Sequence, residues 1–95
     1  MTRLQYLLGK LAEEASEISQ IALKTQQFGL DEIYHVQELT NAQRTHLELD
    51  DLMAVVHMLN TEFNFGYEVD RINISKKIAK VNKYAEYSKE RGMIE

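Results

Sequence analysis

The chain has 95 residues, 44% of them hydrophobic and 27% charged, with no cysteine, no proline and a net charge of −4. This composition predicts one small helical domain and excludes a disulfide framework or a thiolate metal site. The negative charge argues against general binding to nucleic acid or anionic membranes.

The N-terminal segment predicts a helix from about Thr2 to Thr25. Its apolar residues recur at three- and four-residue steps from Leu4 to Ala22, the pattern of an amphipathic helix. At about 100° per residue, Glu14 falls within the apolar arc, Glu17 lies at its border, and Glu13 points further toward solvent. Glu13 and Glu14 interrupt the apolar stretch that a transmembrane helix or a signal peptide would need. We therefore expect a soluble, cytoplasmic protein.

Phe28-Gly29 should end this helix, because Gly29 suits the left-handed conformation of a helix C-cap. The following stretch, Leu30 to Leu39, has weak periodicity. It predicts either a short helix or an ordered loop that crosses the surface.

A second helix is predicted from an N-cap at Thr40 or Asn41 to about Asn60. Its apolar residues cover most of the circumference, so we expect it to be the central and most buried element. Glu48 and Asp51 project among these apolar side chains.

A third helix is predicted from about Val69, or from an N-cap at Ser75, to Arg91. Its buried stripe should consist of Ile74, Ile78, Val81 and Ala85. A basic and aromatic stripe adjoins it and contains Lys77, Lys80, Tyr84 and Tyr87. We therefore predict an all-α fold for residues 1–95, a bundle of three main helices that is completed by homo-oligomerisation.

The acids of the first two helices form two pairs with the same spacing, Glu14 with Glu17 and Glu48 with Asp51. A carboxylate buried among aliphatic side chains costs several kcal/mol unless it is paired, neutralised or bound to metal. One such pair is ordinarily solvated or salt-bridged, but two pairs on two apolar arcs favour a metal cage. The alternative that stays open is ion pairing with Lys or Arg of the third helix.

The type of ligand restricts which metal ion the site would bind. A set made only of carboxylates favours Mg²⁺, with Mn²⁺ as a substitute, over Zn²⁺. Di-iron sites in helical bundles carry Glu-x-x-His, but here Glu17 and Asp51 occupy the positions three residues after Glu14 and Glu48. We therefore assign no catalytic role to His35, His46 or His57. A magnesium cage takes further ligands from substrate phosphates, and the third helix offers cations to neutralise them if it packs beside the acids, namely Lys77, Lys80 and Lys83.

Two segments resemble the all-α nucleoside triphosphate pyrophosphohydrolases of the MazG-like group, in particular its short phage-type members. That family carries EExxE followed at a distance by ExxD, and here these motifs are Glu13-Glu14-Ala15-Ser16-Glu17 and Glu48-Leu49-Asp50-Asp51. The segment Lys77 to Tyr84, KIAKVNKY, resembles the family's basic third-helix segment. The chain departs from it at Val81 and Lys83, where the family has an aromatic residue and an arginine.

The resemblance implies a site and a reaction. Glu14, Glu17, Glu48 and Asp51 would be the Mg²⁺ ligands, with Glu13 as a nearby acid. Candidate substrate contacts would be Lys77, Lys80, Lys83 and Tyr84. The metal would bridge the triphosphate and hold a water for attack on the α-phosphorus, releasing a nucleoside monophosphate and pyrophosphate. Glu13 and Glu17 would be the nearest candidates to accept the water's proton.

The same resemblance and the small size of the chain predict a homodimer or homotetramer. Two other functions stay open. One is a non-enzymatic helical interaction module whose acids are salt-bridged, and the other is an all-carboxylate enzyme that acts on a different phosphorylated substrate.

Overall fold

In the computed structural model, which describes all residues from Met1 to Glu95, the chain forms three α-helices and no strand. The first, α1, runs from Arg3 to Phe28. The side chains of Thr2 and Gln5 form a reciprocal capping box at its start, which satisfies amides that the first helical turn leaves without partners. The helix therefore begins as predicted but continues about one turn beyond Thr25.

Gly29 ends α1 with a backbone geometry that differs from the predicted one. Its φ of 94° is positive, but its ψ of 160° belongs to an extended conformation and not to the left-handed helical region. Essentially only glycine adopts this combination. The chain thus leaves α1 in an extended direction, while the Gly29 amide still donates to Thr25 O at 2.8 Å.

The stretch from Leu30 to Leu39 is an ordered loop and not a short helix, which was the other predicted alternative. Leu30 O and Glu32 O accept hydrogen bonds from the amides of Ala42 and Asn41, at 3.0 and 2.9 Å. The Asn41 side chain, which is 1% exposed, donates to Gly29 O at 3.0 Å and to Glu32 Oε1 at 3.1 Å. These four bonds fix the first part of the loop against the start of the next helix.

The second helix, α2, runs from Asn41 to Phe63, with a capping box between Thr40 and Gln43. It is one turn longer than predicted and ends at Asn64 in the left-handed conformation, with φ 52° and ψ 39°. It packs against α1 around Leu7, Val55 and Leu59. Helix α2 has more buried residues than α1 or α3, as expected for the most buried element, but these are only Asn41, Val55 and Leu59.

The third helix, α3, runs from Arg71 to Glu90 and is capped by Asp70, whose side chain accepts from the Asn73 amide. It contacts neither α1 nor α2. The predicted buried stripe is therefore solvent-exposed in the single chain: Ile74, Ile78 and Val81 are 46%, 56% and 54% exposed. The prediction of an all-α fold with three main helices is confirmed. Within one chain, α1 and α2 form a pair and α3 stands apart.

The separate third helix gives the chain an open shape. Its radius of gyration is 16.8 Å, whereas a compact domain of this length has about 12 Å. None of the three helices combines the length and the apolar character that a membrane span needs.

Candidate metal centre and adjoining pocket

Three of the four predicted ligands come together where α1 and α2 pack. Carboxylate oxygens of Glu14, Glu17 and Glu48 lie within 4.8 Å of one another, and all three residues are half-buried. The packing explains the position, because Glu14 lies seven residues from both Leu7 and Ile21, which are buried. Seven residues are almost two full turns, so the acid shares their face.

Two oxygens of this cluster are inaccessible to solvent and have no hydrogen-bond partner, Glu14 Oε2 and Glu48 Oε2. Buried polar atoms are nearly always satisfied, and an unsatisfied one costs about 1–3 kcal/mol. Oxygen ligands in this arrangement suit a hard divalent cation such as Mg²⁺. The residues present thus fit the metal that the acidic motifs imply.

The pKa values of the cluster carboxyls also favour a bound cation. Burial raises the pKa of the Glu14 carboxyl above its ordinary value, and the charges of Glu17 and Asp51 raise it further. Burial also raises the pKa of Glu48, as do the close approach of the Glu17 carboxylate and the charges of Glu17, Asp51 and Glu14. In both residues, burial and the neighbouring carboxylates raise the pKa, and for Glu14 they outweigh the opposing charge of Lys10.

Asp51 and Glu13 lie at the rim of the cluster. Asp51 is exposed and falls outside the 4.8 Å set, although its charge acts on both Glu14 and Glu48. Glu13 is also exposed, and its Oε2 forms an ion pair with Lys10 Nζ at 3.1 Å. The structure thus separates a gathered set of three glutamates from two peripheral acids.

No cation of the third helix neutralises the cluster within one chain. The two ion pairs of the structure join Arg3 to Glu62 and Lys10 to Glu13. The predicted substrate contacts all lie exposed on α3, away from the acids: Lys77, Lys80, Lys83 and Tyr84. The alternative of a salt-bridged interaction module therefore finds no ion pair at Glu14, Glu17 or Glu48.

A pocket of about 380 Å³ lies between the end of α1, the loop and the start of α2. It is lined by Lys24, Phe28, Glu32, Tyr34, Gln37, Asn41 and Arg44. Helical spacing aligns it with the acids, because Arg44 precedes Glu48 by one turn, about 6 Å along the axis, and Lys24 follows Glu17 by two turns. One elongated ligand could span the acid cluster and this pocket.

The residues that line the pocket were not predicted from the sequence. On α2, Arg44, Glu48 and Asp51 are four and three residues apart. On α1, Glu17, Lys24 and Phe28 are seven and four residues apart, which is also a helical spacing. This spacing could have linked Lys24 and Arg44 to the acids. Tyr34 and Gln37 carried no such signal, because they belong to the non-periodic loop.

Comparison with known protein families, with curated proteins and with solved structures gave no match to this chain. The features of the chain that bear on its function are therefore the acid cluster, the pocket and the resemblance of the two acidic motifs.

The raised pKa values predict how the metal-free protein responds to pH. A carboxyl whose pKa is higher in the folded state adds stability below its unfolded pKa, and this stability is lost as pH rises through the folded pKa. Glu14 and Glu48 should therefore make the metal-free protein melt at a higher temperature at about pH 5 than at about pH 8. Thermal melts in a chelator should show this trend, and a Glu14→Gln/Glu48→Gln variant should flatten it. An equally steep trend in that variant would assign the effect to other groups.

Proposed function

We propose that the chain is a Mg²⁺-dependent nucleoside triphosphate pyrophosphohydrolase of the MazG-like type. It would hydrolyse a ribo- or deoxyribonucleoside triphosphate, canonical or modified, to the monophosphate and pyrophosphate. The observation that carries this proposal is the set of three gathered glutamates, two of which have a buried oxygen without a partner.

Glu14, Glu17 and Glu48, with Asp51 at the rim, would hold Mg²⁺, or Mn²⁺ as a substitute. When bound there, the metal would neutralise phosphate oxygens and withdraw charge from the α-phosphorus. A cluster of carboxylates by itself repels a triphosphate, so the metal is what makes this face acceptable to such a substrate.

The adjoining pocket offers groups for the rest of a nucleotide. Lys24 and Arg44 provide two cations, and Phe28 and Tyr34 provide aromatic surfaces that are about half exposed. Guanidinium and ammonium groups bind phosphate, and aromatic rings stack on bases. Two cations and two aromatic rings beside the acid cluster favour a nucleotide as the ligand over a simple phosphate ester.

The two candidates for proton transfer differ in their surroundings. Glu13 is exposed, forms an ion pair with Lys10 at 3.1 Å and does not belong to the set of three glutamates. Glu17 lies within the cluster and has no lysine or arginine partner. Glu17 is therefore the better placed of the two to accept a proton from an attacking water.

We also propose that the protein assembles into a homodimer or homotetramer. The chain exposes 7876 Å², about 2,200 Å² more than a compact monomer of 11.1 kDa is expected to expose. A standard interface buries about 800 Å² per partner, and obligate interfaces bury more. The exposed surface area beyond that of a compact monomer is thus large enough to form an obligate interface.

A substrate panel tests the proposed function. Canonical and modified nucleoside triphosphates are incubated with the protein and Mg²⁺, and monophosphate and pyrophosphate are scored separately from diphosphate and phosphate. We expect equal amounts of monophosphate and pyrophosphate from at least one substrate, and no product when a chelator replaces Mg²⁺. Diphosphate and phosphate as products, or no turnover of any triphosphate, would contradict the proposal.

A further inference from the structure

Glu32 is an acid of the pocket that takes no part in the proposed metal site. It is half-buried and lines the pocket together with two cations, Lys24 and Arg44. It forms an ion pair with neither of them, since the two ion pairs of the structure lie elsewhere. The Glu32 carboxylate is therefore not engaged by the cations of its own pocket.

Asn41 holds Glu32 in place from the start of α2. Its backbone amide donates to Glu32 O at 2.9 Å, and its side-chain Nδ2 donates to Glu32 Oε1 at 3.1 Å. The same Nδ2 also donates to Gly29 O at 3.0 Å. Both partners of Nδ2 are acceptors, which fixes the orientation of this buried amide. Asn41 thus positions both the backbone and the carboxylate of Glu32.

Most of the hydrogen-bonding capacity of the Glu32 carboxylate is unused. The bond from Asn41 to Oε1 is the only one that this carboxylate accepts within the chain. A carboxylate has two oxygens with about four acceptor positions and donates no hydrogen bond. Glu32 therefore presents two adjacent acceptors to a ligand in the pocket, in a position that is fixed before the ligand binds.

The pocket also suits a flat ring. Phe28 and Tyr34 line it and are 54% and 49% exposed, and the Gln37 amide donates to Tyr34 O at 2.7 Å, which holds the loop at this point. Aromatic side chains of this kind stack on nucleobases. The volume of about 380 Å³ falls within the range of about 300–1,000 Å³ that is usual for small-ligand pockets.

A pair of adjacent acceptors discriminates between the nucleobases. Guanine carries two adjacent donors on its pairing edge, N1–H and the N2 amino group. Adenine and cytosine place their amino donor next to a ring nitrogen that accepts, and uracil and thymine place one N–H between two carbonyls. A carboxylate that faces this edge would meet an acceptor of every base except guanine, and two acceptors repel each other.

We propose that Glu32 selects guanine by accepting hydrogen bonds from N1–H and the N2 amino group, so that the substrates are guanine nucleoside triphosphates. The base would lie in the pocket and the phosphates at the acid cluster, which begins one helical turn, about 6 Å, beyond Arg44. That these nucleotides are substrates rests on the proposed function, whereas the binding of guanine by the pocket does not.

GTP and inosine triphosphate test the proposal in turnover, because inosine differs from guanosine only in lacking the N2 amino group. The wild-type protein with Mg²⁺ should hydrolyse GTP with a kcat/KM at least about tenfold above that for inosine triphosphate, since the missing donor leaves a carboxylate acceptor unpaired. UTP should be poorer still. Equal values for GTP and inosine triphosphate would overturn the selection of guanine.

Glu32→Gln separates base selection from a structural role. The glutamine oxygen can still accept from Asn41 Nδ2, so the fold of the loop should be kept, but its amide nitrogen then faces the donors of guanine. The ratio of kcat/KM for GTP to that for inosine triphosphate should fall to about one. A wild-type ratio in this variant would overturn the proposal.

The matched control is Glu38→Gln. It removes the same charge from the same loop, but Glu38 is exposed and does not line the pocket. This variant should keep the wild-type ratio. A ratio that falls as far as in Glu32→Gln would assign the effect to the charge of the loop and not to a contact with the base.

Calorimetric titration with GMP and inosine monophosphate in Mg²⁺ gives a readout without turnover. The wild-type protein and Glu38→Gln should bind GMP at least about tenfold more tightly than inosine monophosphate, and Glu32→Gln should bind the two equally. If no triphosphate is hydrolysed but this preference is found, the proposed function fails and guanine selection stands. If triphosphates are hydrolysed without a preference for guanine in turnover or binding, guanine selection fails and the function stands. If neither monophosphate binds and no triphosphate is hydrolysed, both proposals fail.

Discussion

Glu48→Gln is expected to abolish Mg²⁺-dependent pyrophosphate release and at the same time to raise the melting temperature of the metal-free protein. The activity should fall by at least about a hundredfold, because the substitution removes a charged oxygen from a set of few metal ligands. The melting temperature should rise, because Glu48 Oε2 is buried without a partner and burial, Glu17, Asp51 and Glu14 all raise the pKa of its carboxyl. The amide keeps the shape of the side chain and removes the charge.

The response to metal provides the second half of this prediction. A ligand that binds only the folded state stabilises it by RT ln(1 + [L]/Kd). Mg²⁺ should therefore raise the melting temperature of the wild-type protein and leave that of Glu48→Gln unchanged. An interaction module without a metal site would show no Mg²⁺ response in either protein.

Asp50→Asn is the matched control for Glu48→Gln. It makes the same change of charge two residues away on α2, but Asp50 is exposed and does not belong to the acid cluster. This variant should keep both the wild-type activity and the wild-type Mg²⁺ response. Full turnover in a folded Glu48→Gln protein would remove the metal cage from consideration.

The sequence predicted α1 and α2 well because their determinants are local. Thr2 with Gln5 and Thr40 with Gln43 form the caps that start both helices, and a cap depends on residues three apart. Gly29 ends α1 as predicted, although with a different ψ. The position of Glu14 among buried residues also followed from periodicity, since Leu7 and Ile21 lie on its face.

The position of α3 was not predictable in the same way. Periodicity identifies Ile74, Ile78 and Val81 as one apolar face, but it does not say which surface covers that face. The pocket was missed for a related reason. One of its two aromatic residues, Tyr34, belongs to a loop that is held by hydrogen bonds from Asn41 to Gly29 and Glu32. Such contacts between distant residues leave no periodic pattern.

Leu59→Ala is expected to unfold the α1–α2 pair under conditions in which the wild-type protein is folded. Leu59 is fully buried, and the chain buries only three other hydrophobic residues, namely Leu7, Ile21 and Val55. Truncation of a buried leucine costs about 2–5 kcal/mol. This is a large part of the roughly 5–15 kcal/mol that separates a folded domain from its unfolded chain.

The measurement is urea unfolding followed by circular dichroism, with Leu23→Ala as the control. Leu23 is a leucine of α1 that is 64% exposed, so its truncation should change the free energy of unfolding by less than about 0.5 kcal/mol. Equal unfolding midpoints for the two variants would mean that the α1–α2 core does not hold the fold. Because Glu14 and Glu48 meet only while these helices are packed, Leu59→Ala should lose Mg²⁺ binding together with the fold. Glu48→Gln should lose Mg²⁺ binding and keep the fold, so the pair of variants separates the ligand from the scaffold that positions it.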